Sequence, residues 1–341
     1  MTVADFSLNK RAFLEGFFSA STVAFGGLFM WQRINQQPQL IVGPAPAGKL
    51  IAANPLAQES IPEAFKFTAV ELESAQPEGG LPAAAPVISA SDALKIGELD
   101  NTQVEHYLKK IRNFDAIFAS DIYLDPRYES LLLRTAAHLT QVESYIGHGN
   151  FNLMSLDEMI KAGRNFPKIG PFQAEELNFI EEIFFANPSR YGFFGKKISR
   201  DISDFIPKKD VAKIAKSGHY LLKGESLNLY NQIRNDVGDQ VILTSGVRGN
   251  VKQIHLFLAK AIEAQGNLSR ASRSLAPPGH SYHGIGDFDI GKIGYGERNF
   301  TADFSSTQEY KRIATLGYVD IRYPTDNLFG VRFEPWHIKL G

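Results

Sequence analysis

The sequence predicts an α+β fold whose C-terminal part carries a small antiparallel sheet flanked by helices. Three observations lead to it. Short β-branched and aliphatic runs at 241–243, 288–293 and 330–333 read as strands, the first ended by Ser245-Gly246. Between them, 250–264 reads as an amphipathic helix, and Ser306-Thr307-Gln308-Glu309 has capping-box form with Gly317 as a terminator. Upstream, apolar residues recur at helical spacing over three further segments. Four regions follow: 1–35 as an export signal or signal anchor, 36–98 as a Pro/Ala-rich linker, 99–204 as a helical region, and 205–341 as a catalytic domain.

Composition narrows the options. The 341 residues hold 36 Lys plus Arg against 37 Asp plus Glu, a net charge of -1. No bulk basic field exists to drive nucleic-acid binding. Cysteine is absent, which removes disulfides, thiolate zinc sites, cysteine nucleophiles and a lipidated N-terminal cysteine. Any metal must be held by His, Asp or Glu.

At the N-terminus, Lys10 and Arg11 precede an uncharged apolar run over 16–31. As a helix it would span about 24 Å, short for a bilayer core unless 12–14 also enter. Positive charge before the run places the N-terminus in the cytoplasm and the rest beyond the membrane, periplasmic or exported. Lys10-Arg11-Ala12-Phe13-Leu14 also resembles the twin-arginine export motif, with Lys for the first Arg. No small-x-small cleavage site directly follows; Ala45-Pro46-Ala47 lies far downstream. A buried core helix is the competing reading. The next stretch contains Gly43-Pro44-Ala45-Pro46-Ala47-Gly48 and Pro77-Glu78-Gly79-Gly80-Leu81-Pro82, the composition of an extended linker.

In the helical region Asn101 can cap a helix over 103–118, with Val104, Tyr107, Ile111 and Phe114 on one face. Further helices fit 129–145 and 174–185. Their stripes are core, and the task of the region is not written in them.

Chemistry concentrates near the C-terminus. His280-Ser281-Tyr282-His283-Gly284-Ile285-Gly286-Asp287-Phe288-Asp289 and Glu334-Pro335-Trp336-His337 each place His beside a carboxylate at a turn or strand end. Two imidazoles and one carboxylate make a three-ligand catalytic zinc site with a fourth position open to water. A further carboxylate can serve as general base. Pro335 restricts Glu334 and helps aim it.

These residues resemble the zinc D-alanyl-D-alanine carboxypeptidases and dipeptidases, including the vancomycin-resistance enzymes, grouped by fold with lysostaphin-type peptidases and hedgehog domains. The family pattern is S-x-H-x-x-G-x-A-x-D, then E-P-W-H. Thr244-Ser245-Gly246-Val247-Arg248, with Gln253 after it, resembles the family's S-G-Y-R-S segment. The resemblance covers roughly 205–341. It implies zinc-dependent hydrolysis of D-Ala-D-Ala type bonds in peptidoglycan stem peptides, in cell-wall remodelling. It implies Zn2+ on His283, Asp289 and His337, and Glu334 as general base. Arg248 would stabilise the oxyanion or hold the substrate carboxylate, and Ser281 and Gln253 would contact substrate. Asp289 stands six residues after His283, one fewer than the family spacing, so Asp287 is the competing ligand. Alternative readings are a cross-link-cleaving endopeptidase and a non-catalytic wall-binding protein on the same fold. His280 and His219 read as neighbours or core, and His106, His138, His148 and His255 as residues on helices or loops without partners.

Overall fold

The computed structural model describes residues 101–340. The expected anchor over 1–35 and linker over 36–98 lie outside them. No described helix is long and apolar enough to cross a membrane.

The chain opens with α1 (Asn101–Arg112), α2 (Glu129–Ile146), α3 (His148–Leu153), α4 (Leu156–Asn165) and α5 (Ala174–Phe185). Ser155 and Glu158 form a reciprocal capping box that opens α4. The helix expected over 103–118 stops at Arg112 because the carbonyls beyond it are engaged elsewhere. The buried Arg273 guanidinium takes Phe114 O at 3.0 Å and Ala116 O at 2.7 Å.

A two-stranded hairpin follows, β1 (Val211–Lys213) with β2 (Tyr220–Leu222). Then come α6 (Glu225–Val237), β3 (Val241–Ser245), α7 (Asn250–Glu263), α8 (Leu268–Ser274) and β4 (Phe288–Lys292). The chain ends with α9 (Gln308–Ile313), β5 (Asp320–Ile321) and β6 (His337–Lys339). The second sheet is antiparallel with order β3-β4-β6-β5.

Two expectations are corrected here. Residues 330–333 form no strand, since their backbone groups bond singly to different neighbours. Arg332 N donates to Arg273 O at 2.9 Å, Val331 O accepts from the Asn327 side chain, and just past the run Glu334 N donates to Tyr323 O at 3.0 Å. The strand lies at His337–Lys339 instead. The cap of α9 is Thr307, whose hydroxyl accepts from Tyr310 N. Glu309 pairs with Lys292 rather than closing the box, and the helix ends before Gly317.

Packing joins the two halves of the chain. One core gathers Leu139 of α2, Met159 of α4 and Phe179 of α5 around Ile254, Phe257 and Leu258 of α7. A second core lies under one face of the sheet, where Phe288, Ile290 and Ile338 meet Tyr230 and Ile233 of α6. Burying such apolar surface is the main stabilising term.

Candidate active site

Strand alternation sorts β4. Phe288 and Ile290 are fully buried in the second core, so Asp287 and Asp289 project to the opposite face. Register then brings His337 to them, because Asp289 and His337 are direct cross-strand partners. Such partners have Cβ atoms only about 5 Å apart. On the other side Ser245 of β3 opposes Asp289, with a register shift between Leu243 and Ser245. β3 spends one extra residue there. A bulge of this kind bends a strand and re-aims side chains, and it delivers 246–248 to the same place.

His283 sits on the short 3-10 turn Tyr282–Gly284. Its Nδ1 lies 2.9 Å from Gly246 O. A carbonyl only accepts, so Nδ1 carries the hydrogen and Nε2 keeps a lone pair. Nε2 points at Asp289 Oδ2, 3.4 Å away. His337 is oriented in the mirrored sense. Its Nε2 donates to Asp287 Oδ2 at 3.1 Å, which leaves Nδ1 facing Asp289 Oδ1 at 3.5 Å and Glu334 Oε2 at 3.2 Å. Donor atoms of His283, Asp289 and His337 all lie within 4.8 Å of one another, and all three residues are buried. Asp289 Oδ1 is buried without a hydrogen-bond partner.

This donor set fits a cation. One carboxylate oxygen is unmet, His283 Nε2 and His337 Nδ1 both turn toward that carboxylate, and each ring is fixed through its other nitrogen, as metal-binding histidines are. Both ligand carboxylate and rings are strongly biased by their surroundings. Burial favours the neutral Asp289 carboxyl, but His283, His337 and Arg248 outweigh it and hold its pKa below the ordinary value. Burial pulls His283 down. Burial also opposes charge on His337, yet Asp287 and Glu334 push it up to about 9.

Asp287 is therefore not the residue facing the cluster. It clamps His337 and is itself held by Arg322, Nε at 2.7 Å and Nη2 at 2.9 Å, and by Leu340 N at 2.9 Å. Arg322 also stacks over the Tyr282 ring at 3.9 Å. Nothing in the sequence pattern singled out Arg322 or Tyr323, since their places depend on the β5–β6 pairing.

Arg248 is half-buried and follows the β3 bulge. Its Nη2 reaches Ser281 Oγ at 3.4 Å, and its Nε is buried and unpartnered. Among the described residues no carboxylate lies within 4.0 Å of its guanidinium, although Asp289 and Glu334 act on it electrostatically. Gln253 is fully buried in α7 and its amide donates to Ala276 O. No hydrogen bond ties it to the cluster.

The remaining histidines have structural partners, contrary to expectation for His138, His148 and His255. His138 stacks on Phe172 at 3.8 Å and meets Glu176 at 3.1 Å. His148 and His255 flank Glu143, 2.7 and 3.1 Å from its carboxylate. His219 meets Asn152 at 3.3 Å. His280 Nδ1 faces Gly195 O and Lys196 O at 3.1 and 3.0 Å. His106 is exposed on α1.

Residues 223–340 match the family model described as VanY: D-alanyl-D-alanine carboxypeptidase. Two solved structures are similar to this chain. One is a mutant of the vancomycin resistance D,D-pentapeptidase VanY from a VanB-type resistance cassette, in complex with Zn(II). It is 24% identical, with 39% of this chain and 81% of that chain covered and a TM-score of 0.29. The other is VanYB in complex with D-alanine-D-alanine, at 24% identity, with 42% and 84% covered and a TM-score of 0.30. No curated protein matches the chain.

Proposed function

We propose, from the premise that residues 223–340 are a domain of the D-alanyl-D-alanine carboxypeptidase family, that this chain is a zinc-dependent D,D-peptidase acting on peptidoglycan stem peptides. The observation that carries this reading is the convergence of His283, Asp289 and His337 donor atoms within 4.8 Å, with the Glu334 carboxylate touching the same His337 nitrogen.

His283 through Nε2, Asp289 through its carboxylate and His337 through Nδ1 would hold the ion. Bound zinc supplies Lewis acidity, which acidifies water and polarises a carbonyl. Glu334 accepts the proton of the attacking water and returns it to the leaving amine. Its position is fixed by its own backbone, whose N–H is bonded to Tyr323 O. Arg248 meets negative charge on the substrate, either the developing oxyanion or the terminal carboxylate. Ser281 orients that guanidinium through its hydroxyl. His283, Asp289, Glu334 and His337 are all buried, and electrostatic contacts are stronger in such low-dielectric surroundings.

Mass spectrometry of peptidoglycan fragments after incubation with the zinc-loaded protein tests the reading. Loss of one D-Ala identifies a carboxypeptidase. Loss of D-Ala-D-Ala, or of a cross-link, assigns another member of the class, and unchanged fragments refute the reading. The substrate lies in the cell wall, so the domain works outside the cytoplasmic membrane, carried there by the segment after Lys10 and Arg11. A reporter active only in the cytoplasm, fused after Gly341, should be silent; full signal would refute export.

A further inference from the structure

Tyr323 follows β5 and is only 2% exposed. Its ring stands edge-on to His337 with centroids 5.1 Å apart and planes at 84°. Phe193, Ala276 and Val331 pack around it. Its carbonyl accepts from Glu334 N, so the residue is bound to the backbone that positions the base. Yet its hydroxyl is buried and has no hydrogen-bond partner. That hydroxyl interacts electrostatically with Glu334 and Asp287 and with Arg248, so it is a near neighbour of the groups assigned to the base and to substrate contact.

A buried hydroxyl without a partner is destabilising. Phenylalanine would fill the same space without that cost, so the oxygen answers to something that arrives from outside. Arg248 Nε is a second buried, unpartnered donor, and its guanidinium interacts electrostatically with Tyr323. A phenol with a pKa near 10 is neutral and a donor at neutral pH. A peptide ending in D-Ala-D-Ala offers acceptors only at its carbonyl and carboxylate oxygens. We propose that the Tyr323 hydroxyl is a substrate-contacting donor that, beside Arg248, hydrogen-bonds an oxygen of the peptide at the bond to be cut. The proposal rests on the D,D-peptidase reading above.

The test compares the zinc-loaded full chain with Tyr323→Phe on a synthetic peptide ending in D-Ala-D-Ala. The expected result is a kcat/KM lower by about 10- to 100-fold, the range for one hydrogen bond to a charged or developing oxyanion. Zinc content should stay stoichiometric, and the thermal midpoint should be unchanged or higher. Calorimetry in a Glu334→Gln background, where the peptide is not consumed, should show weaker D-alanyl-D-alanine binding when Tyr323→Phe is added. An unchanged kcat/KM with an active parent overturns this proposal alone. A lowered thermal midpoint also overturns it, because the hydroxyl would then serve the fold. A parent that neither binds nor cleaves the peptide overturns the peptidase reading and this proposal with it.

Discussion

Glu334 and His337 touch at 3.2 Å, but the work assigned to them differs. Glu334→Gln keeps shape and cannot take a proton. It should retain stoichiometric zinc and a folded domain while turnover falls by roughly 10²–10⁴-fold. His283→Ala removes a donor nitrogen and should lose metal and activity together. Zinc content beside steady-state rates separates the two; zinc loss in Glu334→Gln would make Glu334 a ligand. Asp289 and Asp287 give a second pair. Asp289→Ala should lose zinc. Asp287→Asn should still bind it, with affinity lower by about 10–100-fold, the usual cost of removing a partner that orients a metal-binding histidine. Competition with a chelator measures both, and equal losses would show that the carboxylates share one role. At this scale much was legible. His283, Asp289, His337, Glu334 and Arg248 stand in recognisable spacings. The clamp of Asp287 by Arg322 was not, because it joins residues separated by 35 positions through strand pairing that no local pattern displays.

Among the elements, α2 and α5 were legible within a residue or so, whereas α1 stops at Arg112, well before the expected 118. The sheet was harder. Residues 330–333 alternate like a strand, yet their backbone partners are a carbonyl on α8 and the side chain of Asn327, and only tertiary structure decides that. The joint between α2, α3 and α7 was also hidden. There Glu143 accepts from Lys252 Nζ at 2.7 Å and from His148 Nδ1 at 2.7 Å. Burial raises the Glu143 pKa, but His148, His255 and Lys252 overcome it and hold the carboxyl far below its ordinary 4.5. A depressed folded pKa gives stability that is complete above the unfolded value and drains away as pH falls below it. Thermal midpoints of the parent should therefore drop between about pH 5 and pH 3. Glu143→Gln, which strands a buried lysine, should melt lower at neutral pH by roughly 3–5 kcal/mol equivalents and lose less on acidification. Parallel melting curves at every pH would refute the joint.

For the molecule as a whole, α7 belongs to two structures at once. Its N-cap, Gly249, follows Arg248 directly, while Ile254, Phe257 and Leu258 are buried against helices that precede residue 205. The boundary expected at 205 cuts through that core. A fragment of 205–341 should bind a hydrophobic dye and melt without a sharp transition, whereas 101–341 should melt cooperatively; a cooperative short fragment would show that the C-terminal part stands alone. The helical region has a physical task in this arrangement: it is the other half of the α7 core, and Asn152 O fixes Gly249 N at 2.8 Å beside Arg248. The pairing of β4 with β6 carries a different consequence. That seam is registered by two pairs, Phe288 with Ile338 and Asp289 with His337, and one of the two supplies a pair of proposed zinc ligands. Zinc there would act as a rivet between segments nearly fifty residues apart. Its removal should let the last strand fray, opening the C-terminus to proteases and speeding amide exchange at Ile338, while the α7 core stays protected. The durability of that strand would then depend on how much free zinc the surroundings hold.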